Sequence, residues 1–62
     1  MSNFKRYREL MGLKQIELAR LAGVSAVTIA QLEKRGIYDT RTASKYAKHL
    51  KCNPIMILDG LS

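Results

Sequence analysis

The sequence predicts an all-α domain, a compact bundle of five short helices. Apolar residues recur at helical spacing, and no segment alternates apolar and polar residues as a half-buried strand does. Four glycines divide the chain into helix-sized segments: Gly12, Gly23, Gly36 and Gly60. With 62 residues, the chain is expected to form one domain, residues 1–62. So small a domain buries only about 60% of the surface that its unfolded chain exposes, so a partner chain would stabilise it.

The first three helices are predicted at about residues 3–11, 14–22 and 26–35. Each of the three is followed by a glycine, which is a natural helix stop, and Ser25 is a good N-cap for the third. Their expected apolar faces contain Phe4, Tyr7, Leu10, Met11, Leu18, Ala19, Leu21, Ala22, Ile29 and Leu32.

The fourth helix is predicted at 40–51, after a loop at 37–39, with Ala43, Tyr46, Ala47 and Leu50 as its buried face. A short fifth helix is predicted at 54–59, because Asn53 can cap it and Pro54 suits the first helical position. Short apolar runs are ambiguous, so a strand at 55–58 is the alternative for this segment.

The composition points to a polyanionic partner. Eleven Lys and Arg against five Asp and Glu give a net charge of +6, which favours nucleic acid first and a membrane surface second. A basic surface without a partner is the plain alternative. The longest apolar run, 55–58, is far shorter than the roughly 20 residues of a membrane span, and the N-terminus does not resemble a signal peptide.

The chain lacks the residue sets that catalysis or metal binding requires. Cys52 and His49 are the only residues of their types, so neither an intrachain disulfide nor a four-ligand zinc site is expected. Cys52 is expected to pack as a small apolar residue in a reducing cytoplasm, and His49 to be solvated. Without a nucleophile–base set or a phosphate loop, we expect no enzyme, cofactor, metal or small-molecule substrate.

The most informative stretch is 15–33. Ala19 is small enough for two steeply crossing helices to approach each other, and Gly23 tolerates the positive φ of the turn between them. Val24, Ile29 and Leu32 are expected to hold the second of these helices on the core. An acid-free outward face then remains, which suits a DNA major groove: Ala26, Val27, Thr28, Ala30 and Gln31, followed by Lys34 and Arg35.

This stretch resembles the helix-turn-helix domains of lambdoid phage Cro proteins and repressors, within the broader xenobiotic-response-element (XRE) family. The resemblance covers nearly the whole chain and implies a lambda-repressor-like fold that binds an operator in double-stranded DNA. The matching residues are Gln15, Leu18, Ala19, Gly23, Val24, Ser25, Ile29, Glu33, Leu50, Cys52, Asn53, Pro54, Ile57, Leu58, Asp59 and Gly60.

The resemblance also implies roles for individual residues. Base-reading positions fall on Ala26, Val27, Thr28 and Gln31. Gln31 can pair with a base edge, whereas Val27 can make only apolar contact, for example with a thymine methyl. Gln15 is expected to bind a phosphate and brace the third helix, and Glu33 to orient Arg8 toward a phosphate. The expected phosphate contacts are Arg8, Lys14, Gln15, Ser25, Lys34, Arg35 and Arg41.

The sequence departs from the family pattern at three places. Arg35 stands where a glycine is common, with Gly36 one residue later, and the usual proline before the fourth helix is absent near Thr40. Ala26 replaces a long polar reader, so specificity should depend on Val27, Gln31 and DNA shape. Lysines on the fourth helix and after it, Lys45, Lys48 and Lys51, are interpreted mainly as a solvated face.

Ile55, Met56 and Leu61 exceed what the core needs. They form either additional core or a two-fold dimer interface, which would place two recognition helices about 34 Å apart on a palindromic operator. We expect a homodimer at least on DNA.

The leading interpretation is a phage Cro-type repressor that acts by occupying an operator. The length favours it over a full repressor, although an excised repressor domain would look the same. A DNA-binding antitoxin or a restriction-modification controller is the alternative.

Overall fold

Four α-helices and a closing 3-10 turn make up residues 3–59, the part of the chain that the computed structural model describes. The helices are α1 Asn3–Leu10, α2 Gln15–Ala22, α3 Ala26–Arg35 and α4 Thr40–Leu50. Within residues 3–59 there is no β-strand. The all-α prediction is therefore confirmed for this part of the chain, and each helix lies within a residue or two of its predicted bounds.

The predicted fifth α-helix is wrong. Its segment forms a 3-10 turn, Pro54–Ile57, and Leu58 is already extended, with φ −76° and ψ 135°. The side chain of Asn53 accepts a hydrogen bond from the Ile55 amide at 3.0 Å, so the N-cap acts as expected. The chain leaves the helical path at Leu58, and the next amide, that of Asp59, donates to the Ile37 carbonyl at 2.8 Å and not to a carbonyl of the turn. The alternative of a strand at 55–58 is also wrong. Gly60, which follows the predicted fifth helix, lies outside the described residues.

The core is drawn from every helix and from the connections. All four residues predicted for the buried face of α4 are buried, and the Tyr46 ring lies 5.1 Å from the Phe4 ring between centroids. Other buried side chains are Leu18, Ala19, Ile29, Leu32, Ile37, Ile57 and Leu58.

Three residues predicted for apolar faces are exposed. Leu10 is 69%, Leu21 54% and Met11 39% accessible. Leu10 and Met11 lie at the end of α1, beyond its packed turns. In α2, burial is confined to Leu18 and Ala19, so Leu21 falls at the edge of the contact face.

The last described residue ties three distant parts of the chain together. The Asp59 carboxylate accepts hydrogen bonds from the amide of Asn3 at 2.9 Å and from the amide of Ile37 at 2.8 Å. The Asp59 amide in turn donates to the Ile37 carbonyl at 2.8 Å. Gly36 permits this approach, because its φ is +91° and an added Cβ would lie 2.9 Å from an Asp59 carboxylate oxygen. The connection from α3 to α4 is thus fixed to the start of α1.

Lys51 offers a test of helix termination. It follows α4 with φ 53° and ψ 43°, the one non-glycine residue in the described chain with a positive φ. A side chain in this left-handed region costs about 1 kcal/mol. We expect Lys51→Gly to raise the free energy of unfolding by about 0.5–1 kcal/mol, measured by urea denaturation.

Lys48→Gly is the matched control, since it removes the same charge from an exposed position inside α4. It should lower the free energy of unfolding by about 1 kcal/mol. Equal losses of stability in both variants would contradict the assignment of strain to Lys51.

Candidate nucleic-acid interface

α2 and α3 form a helix-turn-helix unit. Gly23 adopts φ 72° and ψ 33°, and the Val24 amide donates to the Ala19 carbonyl at 2.9 Å. Ser25 then caps α3, accepting from the Thr28 amide at 3.2 Å. Ala19 is buried at the packed side of α2. The positive φ predicted for Gly23 and the N-cap predicted at Ser25 are confirmed.

The end of α3 is braced by Glu33. One carboxylate oxygen accepts from the Arg8 Nε, and the other accepts from the Gln15 Nε2 at 3.0 Å. Arg8 also donates from Nη1 to the Leu13 carbonyl at 2.6 Å. The side chains of Arg8 and Glu33 are only 10% and 6% accessible. This network joins α1, the start of α2 and α3, so it fixes the angle at which α3 is presented.

The outward face of α3 carries the predicted base readers. Val27 is 64% accessible, and Gln31 and Ala30 are exposed. Ala26 and Thr28 are half-buried. The Thr28 hydroxyl lies 3.1 Å from the Ser25 hydroxyl, so both stand together at the N-terminal end of the helix.

The predicted phosphate residues divide into two groups. Six lie at or near the surface, with Gln15 half-buried and Lys14, Ser25, Lys34, Arg35 and Arg41 exposed. Gln31, Lys34 and Arg35 line a shallow open depression at the end of α3. Arg8 differs, because its guanidinium is buried and directed at Glu33 and the Leu13 carbonyl. The structure therefore places Arg8 as a brace for the helices.

Of the predicted dimer residues, Ile55 and Met56 are exposed, at 54% and 47%. Leu61 lies outside the described residues. Tyr38, in the α3–α4 connection, is 64% accessible.

Most acidic side chains are engaged in hydrogen bonds, and most basic side chains are exposed. Four of the five carboxylates accept hydrogen bonds from this chain: Glu17, Glu33, Asp39 and Asp59. Asp39 caps α4, and its hydrogen bond from the Thr42 amide lowers the pKa of its carboxyl, with a smaller contribution from Arg41. By contrast, ten of the eleven Lys and Arg side chains are exposed. The surface is thus strongly positive.

The thiol of Cys52 and the hydroxyl of Tyr46 lie in partly or fully buried surroundings, which disfavour their charged forms. Cys52 is half-buried, and burial raises the pKa of its thiol. Burial also raises the pKa of the Tyr46 hydroxyl.

Among residues 3–59, no group of three or more His, Cys, Asp or Glu side chains is placed to hold a metal ion. None of the described helices is long and apolar enough to cross a membrane.

Sequence reasoning missed two contributors to this geometry. The sequence places Ile37 only in a loop, yet it is 1% accessible and its amide donates to the Asp59 carboxylate. For Asp59 the sequence predicts only the end of a fifth helix and a match to the family pattern. An acid shortly after a proline-initiated turn gave a weak signal, since its partners lie far away in the sequence.

Comparison with known proteins agrees with this geometry. The family described as helix-turn-helix matches residues 4–57. Searches of curated proteins and of solved structures found no significant match. That family consists of DNA-binding regulatory domains and is not an enzyme family. With most of its length matched and α2 and α3 arranged as described, the chain belongs to the XRE-type helix-turn-helix family of DNA-binding transcription regulators.

Proposed function

We propose that this chain is a Cro-type phage repressor that binds a palindromic operator as a homodimer and blocks transcription by occupying it. The observation that carries the proposal is the exposed, acid-free face of α3, which ends in Lys34 and Arg35. A face of this kind suits insertion into a major groove, whose floor presents hydrogen-bonding base edges and thymine methyls.

In this proposal the bases are read chiefly by Gln31 and Val27. The exposed Gln31 amide both donates and accepts, so it can pair with adenine or make single hydrogen bonds to other bases. Val27 makes apolar contact with a thymine methyl. Ala26 and Thr28 lie closer to the core and line the edge of the contact, where Thr28 can reach a methyl or a phosphate.

Phosphate contacts hold α3 in place. Lys14, Gln15 and Ser25 lie at the starts of α2 and α3, and Lys34, Arg35 and Arg41 lie around the connection to α4. Helix N-termini add attraction for phosphate. Arg8 acts through Glu33 as a positioning residue, because its guanidinium is occupied within the protein.

The dimer is assigned to the C-terminal segment. Ile55 and Met56 are exposed apolar residues of the 3-10 turn, and a two-fold contact there would spread two α3 helices across one turn of DNA.

Selection of bound sites from random duplex DNA tests the proposal. A palindrome with half-site centres about one helical turn apart is expected, and a reporter placed behind it should be repressed. Recovery of no sequence preference would overturn the proposal. Stable co-purification with a second protein whose toxicity the chain suppresses would favour an antitoxin instead.

Gln31→Ala tests base reading. Loss of the amide should reduce discrimination at one base pair by about 1–3 kcal/mol, measured by competition between the selected site and single-base variants. An equal loss of affinity on the operator and on random DNA would show that Gln31 does not read a base.

Lys14→Ala tests phosphate contact. Binding should weaken on all sequences, and the slope of log K against log salt should flatten by about 0.9. Arg6→Ala is the control, because Arg6 is an exposed cation of α1 outside the proposed interface. Equal slopes for the two variants would remove Lys14 from the phosphate contacts.

Ile55→Glu tests the dimer. A buried charge at the two-fold contact should leave one protomer per probe and lower the affinity for the palindrome by about 100-fold, while half-site affinity stays unchanged. Leu10→Glu, at a more exposed apolar residue of α1, should keep two protomers on the palindrome. Two bound protomers with Ile55→Glu would place the interface elsewhere.

A further inference from the structure

The outer face of α4 carries a stripe of cations. Arg41, Lys45 and Lys48 are spaced four and three residues apart, so they lie above one another on the helix, and all three are exposed. Lys51 continues the basic run just past the end of α4. The opposite face of the same helix is the buried one, formed by Ala43, Tyr46, Ala47 and Leu50. The cationic stripe (Arg41, Lys45 and Lys48) therefore points directly away from the core.

Among residues 3–59 no carboxylate forms an ion pair with the stripe, and only Arg41 interacts electrostatically with a carboxylate, that of Asp39. Within residues 3–59 the ion pair of the structure is Arg8–Glu33, which does not involve the stripe. Asp39, the acid next to Arg41, has its carboxylate on the Thr42 amide. The Lys45 Nζ lies 5.7 Å from the centroid of the Tyr46 ring, which leaves its charge in place. The stripe is thus a local source of positive potential.

The stripe continues from the proposed phosphate contacts. Lys34 and Arg35 end α3, the connection 36–39 follows, and Arg41 is the second residue of α4. This connection is fixed by the hydrogen bonds between Ile37 and Asp59. From Arg41 to Lys48 the helix rises about 10 Å, which corresponds to about three phosphates along one strand of duplex DNA.

We propose that the outer face of α4 binds backbone phosphates of the DNA that flanks the operator, with Lys45 and Lys48 as its distinctive contacts. This inference rests on the proposed operator binding. Continuity with the cations at the end of α3 favours the flank of the same duplex over a separate polyanion. Affinity then depends on DNA beyond the bases that α3 reads.

The test compares two duplexes with the Lys45→Ala/Lys48→Ala variant. The short probe ends at the outer edge of the selected site, and the long probe adds about ten base pairs on each side. For the long probe, the variant should bind roughly tenfold more weakly, and its salt slope should flatten by about 1.8. For the short probe, affinity and slope should match those of the unchanged protein. Alanine favours helix, and circular dichroism checks that the fold is kept.

Arg6→Ala/Arg20→Ala is the matched control. It removes the same two charges from exposed positions on α1 and α2, so it accounts for the general effect of net charge. The proposal requires a larger loss for the α4 variant than for this control on the long probe alone. Equal losses for both variants, or the same loss on both probes, would overturn it.

A capture experiment separates flanking DNA from a second duplex. The long probe is immobilised and loaded with the protein, and a labelled duplex of random sequence is then added. Capture that depends on Lys45 and Lys48 would overturn the flanking assignment in favour of bridging. Sequence-specific binding of the short probe is read separately, so failure of the α4 inference is distinguishable from failure of operator binding.

Discussion

The presentation of α3 depends on the carboxylate of Glu33. It holds Arg8 of α1 and Gln15 of α2 at once, and the Arg8 and Glu33 side chains are almost fully buried. Removing either charge would leave the other buried without its partner, which is far more costly than loss of a surface ion pair. The network therefore matters less for the free energy of unfolding than for the angle that it imposes on α3 relative to α1 and α2. It makes α3, the helix proposed to contact DNA, part of a rigid three-helix unit.

The distribution of charge follows from the same division of roles. Four of the five carboxylates accept hydrogen bonds from backbone amides or from the side chains of Arg8 and Gln15, at helix starts and at the α3–α4 connection. Two of these, Glu33 and Asp59, are partly buried, whereas ten of the eleven cations are exposed. The net charge of +6 therefore gives the surface a positive potential, which attracts a partner lined with phosphates.

Asp59 and Gly36 provide a second constraint, at the other end of α3. The hydrogen bond from the Ile37 amide to Asp59 spans 22 positions in the sequence, and it fixes the chain just after α3. Because the 3-10 turn with Ile55 and Met56 ends two residues before Asp59, the proposed dimer contact lies close along the chain to the residue that fixes the end of α3. In the proposed dimer, this connection would help to keep two α3 helices at a defined spacing.

The sequence by itself determined the four α-helices, the turn at Gly23 and the cap at Ser25, because these depend on contacts within about four residues. It also determined the sign of the surface charge and the outward residues of α3. Tertiary structure alone decided the 3-10 turn in place of a fifth helix, the exposure of Leu10 and Leu21, and the inward direction of Arg8. These depend on partners such as Asn3 and Asp59, which are 56 positions apart, and no local pattern encodes such a contact.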